Sequence, residues 1–417
     1  MKIFVIGGGG REHAIILKLL EDERVSEIYC APGNGGIAKV AKCVDIKATD
    51  IDAITDYSVK ENFDLVFVAP DDPLSLGLVN RLNEKGIRAF GPTKEAAIIE
   101  ASKAFSKDLM KKYGIPTAAY EVFDDYKLAL DYVKTSKMPL VIKADGLALG
   151  KGVVICKTVK EAVNAINDMM QKKVFGAAGE RVVVEEFLTG PEVSILTFCD
   201  GKTVVPMISA QDHKRIYDYD RGPNTGGMGT FAPSPKYTKK IKDFFEQNIM
   251  QRTVDAMREE GREFKGVLYF GLILTKDGPR VLEYNARFGD PETQVILPLL
   301  KTSLLTIVDS IIDGNLKDIN IEWENKCCVC VVLASGGYPV SYKKNKIISG
   351  LNEVDDDIII YHAGTVKKGD KILTSGGRVL GVVAKDSNIK SAREKAYKNI
   401  LKIHFENMHY RHDIGIK

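Results

Sequence analysis

The first hundred residues alternate short apolar runs with amphipathic stretches, and no other feature of the chain limits its fold as tightly. KIFVIG, SEIYCA, LVFVAP and RAFGP read as strands, with REHAIILKLLEDE and LSLGLVNRLNEKG as helices between them. Strands joined through helices cannot be hairpin partners, so they pair in parallel, with helices covering both faces of the sheet. The expected fold class is therefore α/β, a doubly wound parallel unit whose ligands lie beyond the carboxyl ends of its strands.

The remaining sequence reads as α+β. A helical stretch, KEAAIIEASKAFSKDLMKKYG, leads to Ile115-Pro116, where proline ends regular structure. Beyond it PLVIKA, GVVIC and RVVVEEF surround the helix VKEAVNAINDMM, a pattern suited to a small lid. EVSILTFC, TVVPMIS, a polar glycine-rich stretch, a long helix and a hairpin follow; GVLYFGLIL and RVLEYNARF flank Thr275-Lys276-Asp277-Gly278, with Asp-Gly a favoured turn pair. In the tail, CVCVVLASGGYP, IIIYHAGT, GRVLGVVAK and a last helix read as a separate small α+β domain. With 417 residues the chain exceeds one core, and the expected domains are 1–101, 102–322 with the lid at about 117–190, and 323–417.

Several motifs carry chemistry. Gly7 to Gly10 follow the first strand and precede a helix, so backbone N–H groups there can approach a phosphate, with Arg11 adding charge; a tight turn without a ligand is the alternative. The run is not a dinucleotide fingerprint, because its third glycine would fall on Glu12. Lys143 ends an apolar strand before Asp145-Gly146-Leu147-Ala148-Leu149-Gly150-Lys151-Gly152, a turn able to fold over phosphates but lacking Walker A spacing. Glu185, Glu186 and Glu192 flank the turn Thr189-Gly190-Pro191, where they either face one ligand or form a solvated acidic turn. Glu283, Asn285 and Arg287 alternate along the last hairpin strand and so share a face, with Leu282, Tyr284 and Ala286 packing on the other. Carboxylate and amide oxygens on one face suit Mg²⁺ completed by nucleotide phosphates, although an exposed edge strand gives the same pattern. Gln211-Asp212-His213-Lys214-Arg215 and Pro223 to Gly229 form long polar loops of the kind that serve function.

Taken in order, GGGGREH, APGNGG, FGPT, SKAFSKDLM, VIKADGLALGKGV, VVEEFLTGPEVS, SAQDHKR, GPNTGGMG, EYNARFGDPETQ, GGYP, HAGT and GGRVL resemble the phosphoribosylamine-glycine ligase family of the ATP-grasp superfamily, over nearly the whole chain. The resemblance implies an ATP-grasp core with a mobile lid between the amino-terminal and carboxyl-terminal domains. It further implies ligation of glycine to 5-phosphoribosylamine with splitting of ATP, through a glycyl phosphate, in purine biosynthesis. In that family picture Lys103 and Lys143 hold ATP phosphates under the loop containing Gly146, Gly150, Lys151 and Gly152. The backbone around Glu185, Glu186, Phe187 and Leu188 meets adenine, Glu192 takes the ribose, and Glu283 with Asn285 carries Mg²⁺ or Mn²⁺. Gly8, Gly10, Arg11, Asn34 and Gly35 face the sugar phosphate, and Asp212, Lys214 and Arg287 the glycine and transferring phosphate. Where relatives carry glycine and glutamate before a proline-leucine pair, this chain has Asp71 and Asp72, a shorter carboxylate for the ribose hydroxyls. Like the family, it has Gly271 where many other ATP-grasp enzymes place a metal-binding carboxylate.

Composition narrows the alternatives. Net charge is +3, from 59 basic and 56 acidic residues, so no single-sign field marks nucleic acid or membrane as partner. The seven cysteines lack a zinc-site pairing, and His404, His409 and His412 read as structural. The amino terminus has no signal-peptide pattern and no run reaches membrane-spanning length, giving an expected cytoplasmic protein. No coiled-coil pattern stands out, and a monomer is expected. The competing functions are an ATP-grasp carboxylase, a nucleotide-dependent oxidoreductase, which the broken fingerprint disfavours, and a silent scaffold.

Overall fold

The computed structural model describes residues 1–147 and 152–416. Two expected nucleotide contacts, Gly150 and Lys151, lie outside the described residues.

Strands β1 (Lys2–Gly7), β2 (Glu27–Pro32), β3 (Lys42–Cys43), β4 (Leu65–Val68) and β5 (Ala89–Phe90) form a parallel sheet in the order β3-β2-β1-β4-β5. Ile3, Phe4, Val5 and Ile6 are completely buried on both faces of β1. That is why the run is continuously apolar rather than alternating, and each such side chain contributes about 1.5–3 kcal/mol over its exposed state. Because β1 lies between β2 and β4, the chain leaves it in opposite directions, which opens a crevice at its carboxyl end. Gly8, Asn34 and Asp71 all follow strand ends at this crevice. The helix Ile51–Glu61, capped by the Asp50 side chain accepting from Ala53 N–H, is an addition to the sequence-based reading.

Two expected helices are broken. The first runs as Asp71–Leu76 and Leu78–Glu84, divided at Gly77 with φ of 90°. The second runs as Lys94–Ala101 and Lys103–Lys112, divided at Ser102 with φ −131° and ψ 112°. Tertiary hydrogen bonds replace the helical ones lost there: Ser102 Oγ and Ala104 N–H donate to the Asp145 carboxylate at 3.1 and 2.6 Å, and Lys103 N–H donates to Asp145 O. The break turns Lys103 toward the lid.

The lid is a four-stranded antiparallel sheet, in the order Tyr120–Phe123, Val182–Glu186, Leu140–Ala144, Val153–Cys156. Helices Tyr126–Thr135 and Val159–Ile166 pack on it around a core of its own that includes Ala129, Ile142, Ile166 and Val184. The body sheet pairs Glu192–Asp200 with Lys265–Thr275, and the latter with Gly278–Asn285 through the expected turn, Thr275 facing Gly278. Its register shifts between Gly271 and Leu272, so Gly271 pairs with Glu283 and Leu272 with Val281. Leu282 sits in this bulge and is half-buried, while Tyr284 and Ala286 pack inward. The alternation expected of Leu282 is interrupted by that extra residue.

The carboxyl-terminal domain shares its sheet with the central part of the chain. Its strands Cys327–Ser335, Arg378–Asp386 and Ile358–His362 continue in one sheet with Gly229–Ala232 and Gln211–Asp212. Arg411, with no exposed side-chain surface, ties its end to the polar loop. Its Nη2 lies 2.6 Å from Asp413, and its Nη1 donates to Asp220 Oδ1 and Arg215 O, each at 3.0 Å. Arg411→Ala strands buried Asp413 and should cost about 3–5 kcal/mol, read as a lowered urea midpoint; a loss below about 1 kcal/mol would remove the clamp role. No helix among the described residues is long and apolar enough to cross a membrane.

Candidate functional site

Lys143, at the end of its lid strand, is buried and places Nζ 2.9 Å from Glu185 Oε1 while donating to Leu282 O at 3.1 Å. Lys107 approaches the other oxygen, Glu185 Oε2, also at 2.9 Å, and donates to Thr117 Oγ1. Burial brings Lys107 down to about 8 against the pull of Glu185. Burial alone would raise Glu185, but the two lysines outweigh it and hold its carboxyl below the usual range. The triad sets two lysine side chains against one carboxylate, and the Lys143 bond to Leu282 O ties this lid strand to the hairpin of the body.

The three turn glutamates do not converge. Glu185 points inward; Glu186 is exposed and accepts from Ala119 N–H at 2.9 Å, with Arg280 at 3.4 Å; Glu192 is exposed and lies 3.4 Å from Lys214. Strand alternation separates the first two, and the turn at Gly190 redirects the third. Phe187 and Leu188 follow as a partly exposed apolar shelf. The Gly146 carbonyl accepts from Lys103 Nζ at 2.9 Å, and the carbonyl of buried Gly152 accepts from Ala144 N–H at 2.8 Å.

Glu283 faces four cations: Lys214, Lys143, Lys103 and Arg287 outweigh its burial and hold its carboxyl low. Lys214 Nζ is 3.6 Å from Glu283 Oε1, and Asn285 Oδ1 accepts from Arg287 Nη2 at 3.1 Å. A side chain at Gly271 would place Cβ 3.1 Å from Glu283 Cγ, which accounts for glycine there. An ionised carboxylate and an amide oxygen on one face fit a hard divalent cation. The surrounding positive charge opposes a bare ion, so the set suits a cation that arrives with a polyphosphate.

Arg287 leaves the strand end and pairs with Glu100 Oε1 at 3.0 Å, and the other Glu100 oxygen accepts from Ala286 N–H at 2.6 Å. Asp71 stands in the same field: burial would raise it, but Arg287 and Arg11 hold it low. Burial, opposed by Arg287, lifts Glu100 from 4.5 to about 7. A raised carboxyl stabilises the fold fully below pH 4.5 and loses that contribution as pH rises through about 7. Relative to the unaltered chain, Glu100→Gln should therefore gain on the order of 3 kcal/mol between about pH 4.5 and 8, followed by denaturation at each pH. A difference independent of pH would refute the shift.

Asp212 accepts from His213 N–H at 2.6 Å, and burial with nearby Glu292 raises its carboxyl well above the usual range. Glu292 itself accepts from Ser194 Oγ at 3.1 Å and Tyr269 OH at 3.2 Å. Glu192 most strongly, then Glu283, raises Lys214 against the effect of burial.

The glycine run meets the expected crevice, but Arg11 does not point a free charge into it. Its Nε is 2.6 Å from Glu12 Oε1 and its Nη1 donates to Phe288 O. Glu12 also accepts from Gly9 N–H at 2.6 Å, so a carboxylate already caps this helix. A Cβ on Gly8 would come within 2.5 Å of Gly33 O, and one on Gly10 within 2.7 Å of Gln294 Nε2. The Asn34 amide is occupied as well, donating to His362 O at 2.7 Å and accepting from Gly36 and Ile37, while Gly35 N–H donates to Thr365 O. These residues shape the crevice wall.

Glu100, Lys107, Glu292 and Arg378 join the site without having been singled out from sequence. Lys107 had a signal, its i,i+4 spacing from Lys103, and Arg378 had its place as a charge opening an apolar strand. Nothing local distinguishes Glu100, whose partner lies far along the chain.

Comparison with known proteins gives matches along nearly the whole chain. The phosphoribosylglycinamide synthetase N domain matches residues 1–100, its ATP-grasp (A) domain 101–293 and its C domain 328–417. Phosphoribosylamine-glycine ligase of Caldanaerobacter subterraneus subsp. tengcongensis is 51% identical over 415 residues, covering 100% of this chain and 99% of its own length. The trifunctional purine biosynthetic protein adenosine-3 of Bos taurus is 47% identical over 421 residues, covering 100% of this chain and 42% of its own length. The crystal structure of phosphoribosylamine-glycine ligase from Thermotoga maritima superposes with a TM-score of 0.86 at 35% identity, covering 99% of this chain and 100% of that one. Biotin carboxylase from Campylobacter jejuni, 13% identical with a TM-score of 0.77 over 98% of this chain and 92% of its own, shares the fold alone.

Proposed function

The chain belongs to the phosphoribosylglycinamide synthetase family, and on that basis we propose that it activates glycine as glycyl phosphate in the groove between Lys143 and Glu283. It is an ADP-forming carbon-nitrogen ligase that joins glycine to 5-phosphoribosylamine, giving glycinamide ribonucleotide in purine biosynthesis. The observation that supports the proposed route is the concentration of cations, Lys214 at 3.6 Å with Lys143, Lys103 and Arg287 nearby, whose charge holds the Glu283 carboxyl low. Such a concentration of positive charge is matched to a polyanion.

A carboxylate is a poor acyl donor because it lacks a leaving group. In the proposed reaction a glycine carboxylate oxygen attacks the γ-phosphorus and ADP departs; the sugar amine then attacks the glycyl carbonyl, loses a proton and expels phosphate. Lys103 and Lys143 hold ATP phosphates beneath the loop of Gly146, Gly150, Lys151 and Gly152. Adenine lies against the Glu186 to Leu188 shelf, and Glu192 receives the ribose. Arg287, oriented by Glu100, and Lys214 offset the charge as the carboxylate nears the phosphate. Asp212 orients glycine, and Asp71 a sugar hydroxyl. Mg²⁺ or Mn²⁺ held by Glu283 and Asn285 would neutralise phosphate charge. Lid closure excludes water, which would otherwise hydrolyse the acyl phosphate. A cytoplasmic monomer completes the proposal.

The test is ADP release with Mg²⁺ and ATP, comparing glycine alone with glycine plus phosphoribosylamine formed in place from ribose 5-phosphate and ammonia. Transfer of ¹⁸O from the glycine carboxylate into released phosphate is expected. Phosphate free of that label would overturn the glycyl phosphate route.

A further inference from the structure

We propose that Lys107, a lysine sealed from solvent, is a positioning residue for ATP: by sharing the Glu185 carboxylate it keeps the Lys143 ammonium from being neutralised and holds it in place for the nucleotide phosphates. The inference rests on the ligase reading, in which Lys143 meets those phosphates, and adds the group that sets its charge.

Lys107 lies on helix Lys103–Lys112 and is 1% exposed, so it cannot touch a nucleotide itself. Its Nζ donates to Thr117 Oγ1 at 2.8 Å and pairs with Glu185 Oε2 at 2.9 Å. The other carboxylate oxygen, Oε1, lies 2.9 Å from Lys143 Nζ. One carboxylate equidistant from two ammonium groups neutralises neither completely, and buried charges are weakly screened. Of the three N–H donors on Lys143, Leu282 O takes one and Glu185 at most a second, so at least one is left for a phosphate oxygen.

The same contacts fix where Lys143 stands. Thr117 Oγ1 donates onward to Val281 O at 2.7 Å, and Val281 N–H donates to Pro116 O at 2.8 Å. Lys143 binds the next carbonyl, Leu282 O, at 3.1 Å. Both lysines are thus tied to consecutive residues at the hairpin bulge, immediately before Glu283.

The surroundings make Lys107 responsive to pH. Burial lowers it to about 8, opposed by Glu185 and reinforced by Lys143. Glu186 also raises it but is exposed and lies 3.4 Å from Arg280, and the Tyr120 ring stands 6.0 Å from Nζ with its hydroxyl donating to Asp108. When Lys107 loses its proton, Glu185 pairs with Lys143 alone, and the charge of Lys143 is neutralised within the protein. ATP is therefore held most firmly below pH 8, with affinity falling as pH rises through about 8. By linkage, ATP binding above that pH draws a proton onto Lys107.

Calorimetry of MgATP binding to the full chain without glycine, from about pH 7 to about 9.5, tests the proposal. Affinity of the unaltered chain should fall about tenfold over that range, with uptake of about half a proton on binding near pH 8.5; a flat profile would overturn the inference. Lys107→Met keeps the apolar stem and leaves Glu185 paired with Lys143. It should bind MgATP about tenfold more weakly at about pH 7, without the alkaline fall or the proton uptake. Lys103, also lowered by burial, remains in that variant, so an alkaline fall that survives the substitution counts against Lys107. Unchanged affinity in folded Lys107→Met would leave Lys107 a structural ion-pair partner. Should Lys107→Met fail to fold, Thr117→Val removes one acceptor of the ammonium and should move the alkaline fall to lower pH; an unmoved profile overturns the inference equally. If Lys143→Met binds MgATP as tightly as the unaltered chain, it is the placement of ATP on Lys143 that fails, a result separate from the Lys107 titration.

Discussion

Replacing Glu283 with alanine is expected to abolish turnover, a loss of at least about a thousandfold in kcat, while leaving the fold intact. Lys214, Lys143, Lys103 and Arg287 all act on this carboxylate, so its removal takes away the one negative charge among them and, in the proposed mechanism, the ligand that would hold the metal. Its close ion pair with Lys214, at 3.6 Å, is partly exposed, and pairs of that kind contribute only about 0–1 kcal/mol. Stability should thus fall little, whereas activity collapses. Metal binding should follow the same logic: Mn²⁺ alone binds weakly against the positive surroundings, and ATP strengthens it, an effect read by electron paramagnetic resonance. Near-normal activity of Glu283→Ala at saturating Mg²⁺ would exclude the metal role.

Lys143→Met should weaken ATP binding and lower kcat by roughly a thousandfold, about 4 kcal/mol of transition-state stabilisation. Methionine keeps the length of the apolar stem, so the experiment removes charge rather than packing. Glu185 retains Lys107 at 2.9 Å, and the variant is therefore not left with an orphaned carboxylate. A kcat equal to that of the unaltered chain would take Lys143 out of phosphoryl transfer and leave it a structural partner of Glu185. Intact kcat with weaker ATP affinity would instead confine it to ground-state binding.

Much of the hairpin that carries the proposed metal ligands was legible because periodicity is local. Glu283 and Asn285 share a face since a strand alternates, and the Thr275 to Gly278 turn pins the hairpin that carries them. The one failure on this strand, Leu282, arises from a bulge, which inserts a residue without leaving a sequence mark. The helical pattern through Ser102 is just as regular on paper. It breaks because Asp145, more than forty positions away, offers Ser102 and Ala104 better hydrogen bonds than a continued helix.

By itself, then, the sequence determined the parallel amino-terminal unit, the hairpin, and the ordered motifs by which the family is identified, because each depends on residues within one element or on their order. Only the tertiary structure decided which charges meet: Arg287 with Glu100, the two lysines with Glu185, Arg11 with Glu12, and Arg378 with Asp290. Ion pairing is set by distance and burial after the elements have packed. A guanidinium beside its own helix, as in Arg11, is indistinguishable in sequence from one held open for a phosphate.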